Sequence, residues 1–158
     1  MPVLGWLLQL LLGLLAWLAL AYGIHRLAHW PAPGNRLYRW HRAHHAQAYL
    51  AASRRLCWHH LLLCFGSVSE TLDIWITLTL PLLLIAWLLP QQGAVLLLFH
   101  YLYEILFSDQ RLDHNPSIHG PLTRVFAWGQ YHLRHHADPR RNFGLILTLW
   151  DHVFATAR

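Results

Sequence analysis

The chain has 158 residues, of which 56% are hydrophobic and only 12% charged, roughly half the charged share of an ordinary soluble domain. That balance excludes a typical soluble globular domain and predicts a single all-α, integral membrane domain, an apolar helical bundle over residues 1–158. The net charge of +5 comes entirely from arginine and no RNA- or DNA-binding motif accompanies it, which argues against a nucleic-acid partner and for side chains that orient the chain against anionic headgroups.

Residues 3–22 carry no charge, and as a helix would extend about 30 Å, the hydrocarbon thickness of a bilayer. Ala19-Leu20-Ala21 resembles a signal-peptidase site, but no basic residue precedes the segment and it is longer than a signal h-region, so a membrane span is expected. His25 and His29 follow in the motif HRLAH, then His41, His44 and His45 in HRAHH. Residues 56–65 are apolar apart from His59 and His60, too short for a span, and are expected to form a buried or interfacial helix. Cys57 and Cys64 read as reduced, small core residues.

Residues 72–89 form a second expected span. Pro90-Gln91-Gln92-Gly93 has turn composition, and residues 94–107 form a third, marginal span of about 21 Å that carries His100 and Glu104 at helical offset four. Beyond it come His114 in LDHNP, the motif HLRHH with His132, His135 and His136, then Asn142-Phe143-Gly144 and a closing WDHVFAT that starts at Trp150. Six arginines lie between Arg26 and Arg55, six between Arg111 and Arg158, and none in residues 3–22 or at Gln91-Gln92. This asymmetry predicts one crossing followed by an out-and-back hairpin, with every histidine motif in a cap on the cytoplasmic side.

Offsets of three and four place each histidine triplet on one helix face, so each triplet is expected to be a ready set of metal ligands. Cysteine is nearly absent, which argues against a structural thiolate zinc site. A single ion takes four to six ligands, so eight or nine histidines suggest two metals, each with an open position. His59, His60, His119 and His152 read as background. Glu70, Asp113, Asp138, Asp151 and Glu104 are candidates to accept the second N–H of a ligating imidazole, as is typical of such ligands. Gly144 is expected to permit a turn with positive φ, and Asn142 to cap the following helix or to support the ligands.

The order HRLAH, HRAHH, hydrophobic hairpin, HLRHH, NFG and WDHVFAT, over about residues 24–156, resembles the fatty acid hydroxylase and sterol desaturase superfamily. The resemblance implies an oxygen-dependent membrane oxidoreductase with two iron ions, or zinc as isolated, acting on a lipid by hydroxylation or desaturation. It places metal ligands at His25, His29, His41, His44, His45, His132, His135 and His136, with His114 the best match for a further one. His100, Glu104, Asp138, Asn142 and Asp151 are additional ligands or hydrogen-bond supports. Ala155 replaces a usual glycine and Ser108 stands where a histidine would have been accepted. No flavin, heme or iron–sulfur motif accompanies the core, so electrons are expected from a separate ferredoxin or cytochrome. Competing readings are an inactive relative, a membrane metal-binding or transport protein, whose ligands would lie inside the spans, and a b-type heme protein, which does not explain two triplets.

Overall fold

The structure, a computed structural model, describes residues 2–46 and 56–158. It is all-helical: among the described residues there is no strand, only an isolated antiparallel bridge between Phe126 and Leu147. Helix α1 (Val3–Ala28) runs past the expected span end and carries His25 in its last turn. Its leucines 4, 7, 8, 11 and 12 face outward and are at least half exposed, an arrangement that suits an apolar solvent and not water. Helix α2 (Arg36–His45) follows a turn at Gly34 (φ +82), and Asn35 caps it by accepting from Tyr38 N–H at 3.3 Å.

Helix α3 (Val68–Ile74) starts at a reciprocal capping box between Ser67 and Glu70. It continues through a π-helical turn (Trp75–Thr79) into α4 (Leu80–Leu88). The π turn interrupts the regular ladder, and the Leu78 carbonyl accepts from the fully buried Trp17 Nε1–H of α1 at 2.9 Å. Trp17, Leu18 and Ala21 of α1 meet Leu78, Leu82 and Ile85 in the hydrophobic core, with Leu96 and Tyr103 arriving from the next arm.

The hairpin turn is tighter than its composition suggests. Leu89 alone breaks the helix (φ −130, ψ 74), and Pro90-Gln91-Gln92-Gly93 forms the first turn of α5 (Pro90–Leu102). Proline is tolerated there because its missing N–H would have had no helical partner. Gly93 lets the arms touch: a Cβ at this position would lie 2.2 Å from Ala86 Cα. Gln92 is buried and donates to Gln9 of α1 at 2.9 Å.

A second π turn (Tyr103–Phe107) ends this arm. Val3–Ala28 and Val68–Leu88 are long and apolar enough to cross a membrane. The arm expected at residues 94–107 is not among the stretches that meet this criterion, because Gln91, Gln92, His100 and Glu104 dilute its apolar character.

The remaining chain packs back on the ends of these helices. Residues 56–65 form a 3₁₀ turn (Trp58–Leu62) instead of an α-helix, with Trp58 and Leu62 exposed and His60 buried. Helices α6 (Gln130–Ala137) and α7 (Leu149–Val153) follow. Tyr22 OH of α1 lies 2.8 Å from Thr156 Oγ1 and its ring stacks on Phe154, which ties the closing segment to α1.

Candidate metal centre

Five histidines, His25, His29, His41, His45 and His135, bring one ligand nitrogen each to within 4.8 Å of one another, and His44, His114, His132 and His136 do the same beside them. The two groups do not follow the triplets. On α2, His41 and His45, four apart, serve the larger group while His44 turns to the smaller; on α6, His132 and His136 serve the smaller group and His135 the larger. At 100° per residue, positions four apart differ by about 40° around a helix, whereas adjacent positions differ by about 100°. Each triplet therefore straddles the two groups.

Local structure explains how α6 reaches the centre. Its N-cap, Gly129, has φ +55 and sits where a Cβ would lie 2.3 Å from the Ile118 carbonyl, so only glycine fits both the conformation and the contact. His29 lies one residue past α1, as its C-cap, and His114 comes from the loop after the second π turn.

The hydrogen bonds of the imidazoles settle their tautomers. His25 Nδ1 lies 2.7 Å from the Phe143 carbonyl, His135 Nδ1 2.6 Å from the Arg141 carbonyl and His41 Nδ1 2.8 Å from Asp73 Oδ2. Each partner is an acceptor, so each Nδ1 carries the proton and each Nε2 presents a lone pair.

Those Nε2 atoms face one another: His25 to His41 at 3.0 Å, His25 to His29 at 3.3 Å, His45 to His135 at 3.2 Å, and His136 to both His114 and His132 at 3.1 Å. For His25 and His41 both N–H bonds point away, so the contact cannot be a hydrogen bond between neutral rings and calls for a cation between them. Separations near 3 Å are those of adjacent corners around an ion about 2.1 Å from each nitrogen. The donor set fits two metal ions.

Electrostatics agree with that fit. Burial first, then the neighbouring imidazoles, lowers His29 to about 2 and His45 to about 3. His135 falls to about 4, chiefly by burial, which outweighs its bond to the Arg141 carbonyl. His44, His132 and His136 are also pushed down, by burial and then by nearby histidines. These rings are neutral at pH 7, the form that binds metal.

Other expected site residues fall into different places. His100, 1% exposed, joins neither group: its Nε2 lies 3.0 Å from Thr79 Oγ1, its Nδ1 3.8 Å from Glu104 Oε1, and its ring stands edge-on to Trp17. His100 and Glu104 face each other as expected but make no hydrogen bond at that distance; the polar partner of His100 is Thr79 of the first π turn. Asp138 pairs outward with Arg140 at 2.9 Å.

Asn142, not Gly144, takes the positive φ (+56), and it caps no helix, since α7 begins after Thr148. Its turn lies between the two carbonyls that meet His135 and His25, and its Oδ1 accepts from Arg158 N–H at 2.7 Å. Gly144 is needed for closeness, because a Cβ there would lie 2.7 Å from Asp151 Oδ2. Asp151 is fully buried and accepts from the N–H groups of Phe143 and Gly144 (2.7 Å each), Tyr131 OH and Thr156 Oγ1. It holds the loop whose carbonyl orients His25 and touches no histidine of either group itself.

Two carboxylates escaped the sequence reading: Asp73, hydrogen-bonded to His41, and Asp109, whose Oδ1 lies 3.2 Å from His114 Nδ1. Asp73 left a signal, an acid just inside an apolar stretch, where ionisable side chains mark function. Asp109 left none, because its partner lies five residues away across an irregular turn.

His59 and His60, read as background, gather with Cys57 within 4.8 Å. His60 Nδ1 there accepts from Cys57 N–H at 3.1 Å and closes the 3₁₀ turn. His119 and His152 enter no such group among the described residues, and His152 is exposed.

A cavity opens beside both groups. It encloses about 790 Å³ including its mouth, and His41, His44, His114 and His132 form one side of it. Phe65, Ile74, Leu78, Leu145 and Ile146 supply apolar wall, and the two π turns contribute Thr77, Tyr103 and Glu104.

No curated protein and no solved structure matches this chain. The fatty acid hydroxylase family does match, over residues 10–156, so nearly the whole described helical unit and all nine clustered histidines fall inside it. The chain belongs to the fatty acid hydroxylase family, whose members are oxidoreductases that use metal.

Proposed function

We propose that this protein is a membrane-bound lipid hydroxylase or desaturase in which His25, His29, His41, His45 and His135 hold one iron ion and His44, His114, His132 and His136 a second. The observation that carries this reading is the convergence of nine histidines, five buried and four half-buried, beside a cavity with apolar walls. Iron in such a site would supply the redox chemistry with O2 that protein side chains lack. The overall change is the oxidation of a lipid C–H bond: one O2, two electrons and two protons give one C–OH and one water. In the desaturase variant, two adjacent C–H bonds are lost and two waters form.

The chain's own residues keep the centre in order. Asp73 and the carbonyls of Phe143 and Arg141 hold protons at Nδ1 of His41, His25 and His135 and so fix which nitrogen faces the metal. Ile74, Leu78, Leu145 and Ile146 exclude water from the lipid chain. The arginine distribution supports a cytoplasmic position for the histidine cap. Electrons come from a separate donor such as a ferredoxin or cytochrome. A groove lined by Arg26, His29, Trp30, Arg140 and Phe143 runs beside the larger histidine group, and its charge suits an acidic partner.

The test is iron content and oxygen uptake in protein reconstituted into lipid, coupled to a hydroxylated or unsaturated lipid product. His135→Ala should lower bound iron and abolish turnover, while His152→Ala, on the exposed face of α7, should change neither. Stable metal without turnover would identify an inactive relative, and metal flux across vesicles a transporter.

A further inference from the structure

Oxidation of one C–H bond consumes two protons along with two electrons, and the apolar wall that shields the lipid chain from water also keeps those protons away. A second cavity, about 450 Å³ with its mouth, lies against the second π turn and the residues after it. Its lining includes His60, Gln110 and Arg111 together with Glu104, Ser108 and Asp109. Gln110 Oε1 is buried there and has no hydrogen-bond partner among the described residues. An amide oxygen of this kind in a polar space suits water, which needs about two to four polar partners.

Glu104, Ser108 and Asp109 also line the cavity beside the histidines, so these three residues form a partition between the two spaces. Ser108 Oγ donates to the Glu104 carbonyl at 2.9 Å, and Asp109 Oδ1 lies 3.2 Å from His114 Nδ1, next to the histidine groups. Glu104 differs from both. It is 6% exposed, and its Oε1 lies 3.8 Å from His100 Nδ1, outside hydrogen-bond distance but within reach of a small side-chain rotation. His100 is 1% exposed, its Nε2 lies 3.0 Å from Thr79 Oγ1, and its Nδ1 makes no hydrogen bond among the described residues. Two titratable groups thus stand one helical turn apart, outside both histidine groups, at a depth where ionisable side chains mark function.

Resting on the reading of the site as a lipid oxidation centre, we propose that Glu104 is the proton relay of this partition. Its carboxylate takes a proton from water in the second cavity, and the resulting carboxyl gives that proton up on the side of the histidines. Two such passages supply the two protons that, with two electrons from the donor protein, turn one O2 and one C–H bond into C–OH and water. His100 faces the carboxyl from α5 and positions it between the two spaces. A carboxyl can do this because it gains and loses a proton, whereas an amide of the same size fills the partition and carries none.

In zinc-loaded protein in nanodiscs of the host's lipid extract, where no turnover occurs, infrared difference spectra between about pH 9 and 5 should show a carboxylic C=O band that shifts in D2O and is lost in Glu104→Gln. Iron-loaded protein in the same nanodiscs is then reduced with dithionite, freed of it and exposed to O2. Glu104→Gln should form oxidised lipid at least about tenfold more slowly, with a larger solvent deuterium isotope effect and iron still at two per chain, and Glu104→Asp should recover most of the rate. If Glu104→Gln holds no iron, Gln110→Leu decides: it lines the second cavity alone, and it should slow product formation several-fold. No such band in the unaltered protein, a native rate and isotope effect in Glu104→Gln, or a native rate in Gln110→Leu overturns this inference alone. No oxidised lipid from the unaltered iron-loaded protein overturns it together with the lipid oxidation reading.

Discussion

Each histidine of the two groups has two nitrogens with separate surroundings, and the proposed metal centre depends on the outward one as much as on the inward one. Asp73 illustrates this, because its carboxylate accepts from His41 Nδ1 at 2.8 Å and so keeps the Nε2 lone pair aimed at His25. Asp73→Asn should lower metal affinity about 10–100-fold while leaving the helical content unchanged, measured by metal titration alongside circular dichroism. The depressed histidines have a consequence for the metal-free protein. His29, His45 and His135 titrate at about 2, 3 and 4 when folded and at 6.5 when unfolded, so below pH 6.5 the unfolded chain binds more protons. Stability of the metal-free protein should be full above pH 6.5 and should fall steadily as the pH drops toward about 4 to 2. Thermal unfolding in detergent across that range would show it, and an unchanged midpoint between pH 7 and 4 would contradict the burial of these rings.

Among the elements, the helical hairpin sets the position of the cavity, since both π turns lie on its arms and both contribute lining residues. The close contact at Gly93 holds the arms together, and Gly93→Ala forces a methyl against the Ala86 backbone. That substitution should destabilise the protein by about 1–3 kcal/mol through overpacking, read as a lower unfolding midpoint. The turn composition of residues 90–93 was legible as a break in the apolar run. Its conformation was not, because proline and glycine suit a loop as well as the start of a tightly packed helix. The π turns were invisible in sequence for a related reason: one extra residue in a turn leaves hydrophobic periodicity almost unchanged.

For the whole molecule, the arginine pattern and the fold can be tested together. In a background with Cys57→Ser and Cys64→Ser, which removes both native thiols, Gln91→Cys places one exposed thiol at the hairpin tip. It should react with an impermeant maleimide from the side opposite the histidine cap, and labelling from the cytoplasmic side would overturn the proposed orientation.

The sequence by itself determined the helical class, the family resemblance and the eight motif histidines, because helical offsets and membrane hydropathy are local properties written into neighbouring residues. Only the tertiary structure decided that each triplet is divided between two groups and that His114 completes the smaller one. It also decided that Asp73 accepts from His41 while Asp138 turns outward to Arg140, and that Asn142 rather than Gly144 turns the backbone. Those outcomes depend on where helices meet, and a contact between residues 25 and 143 or 41 and 73 is set by the packing of distant segments, to which no local pattern refers.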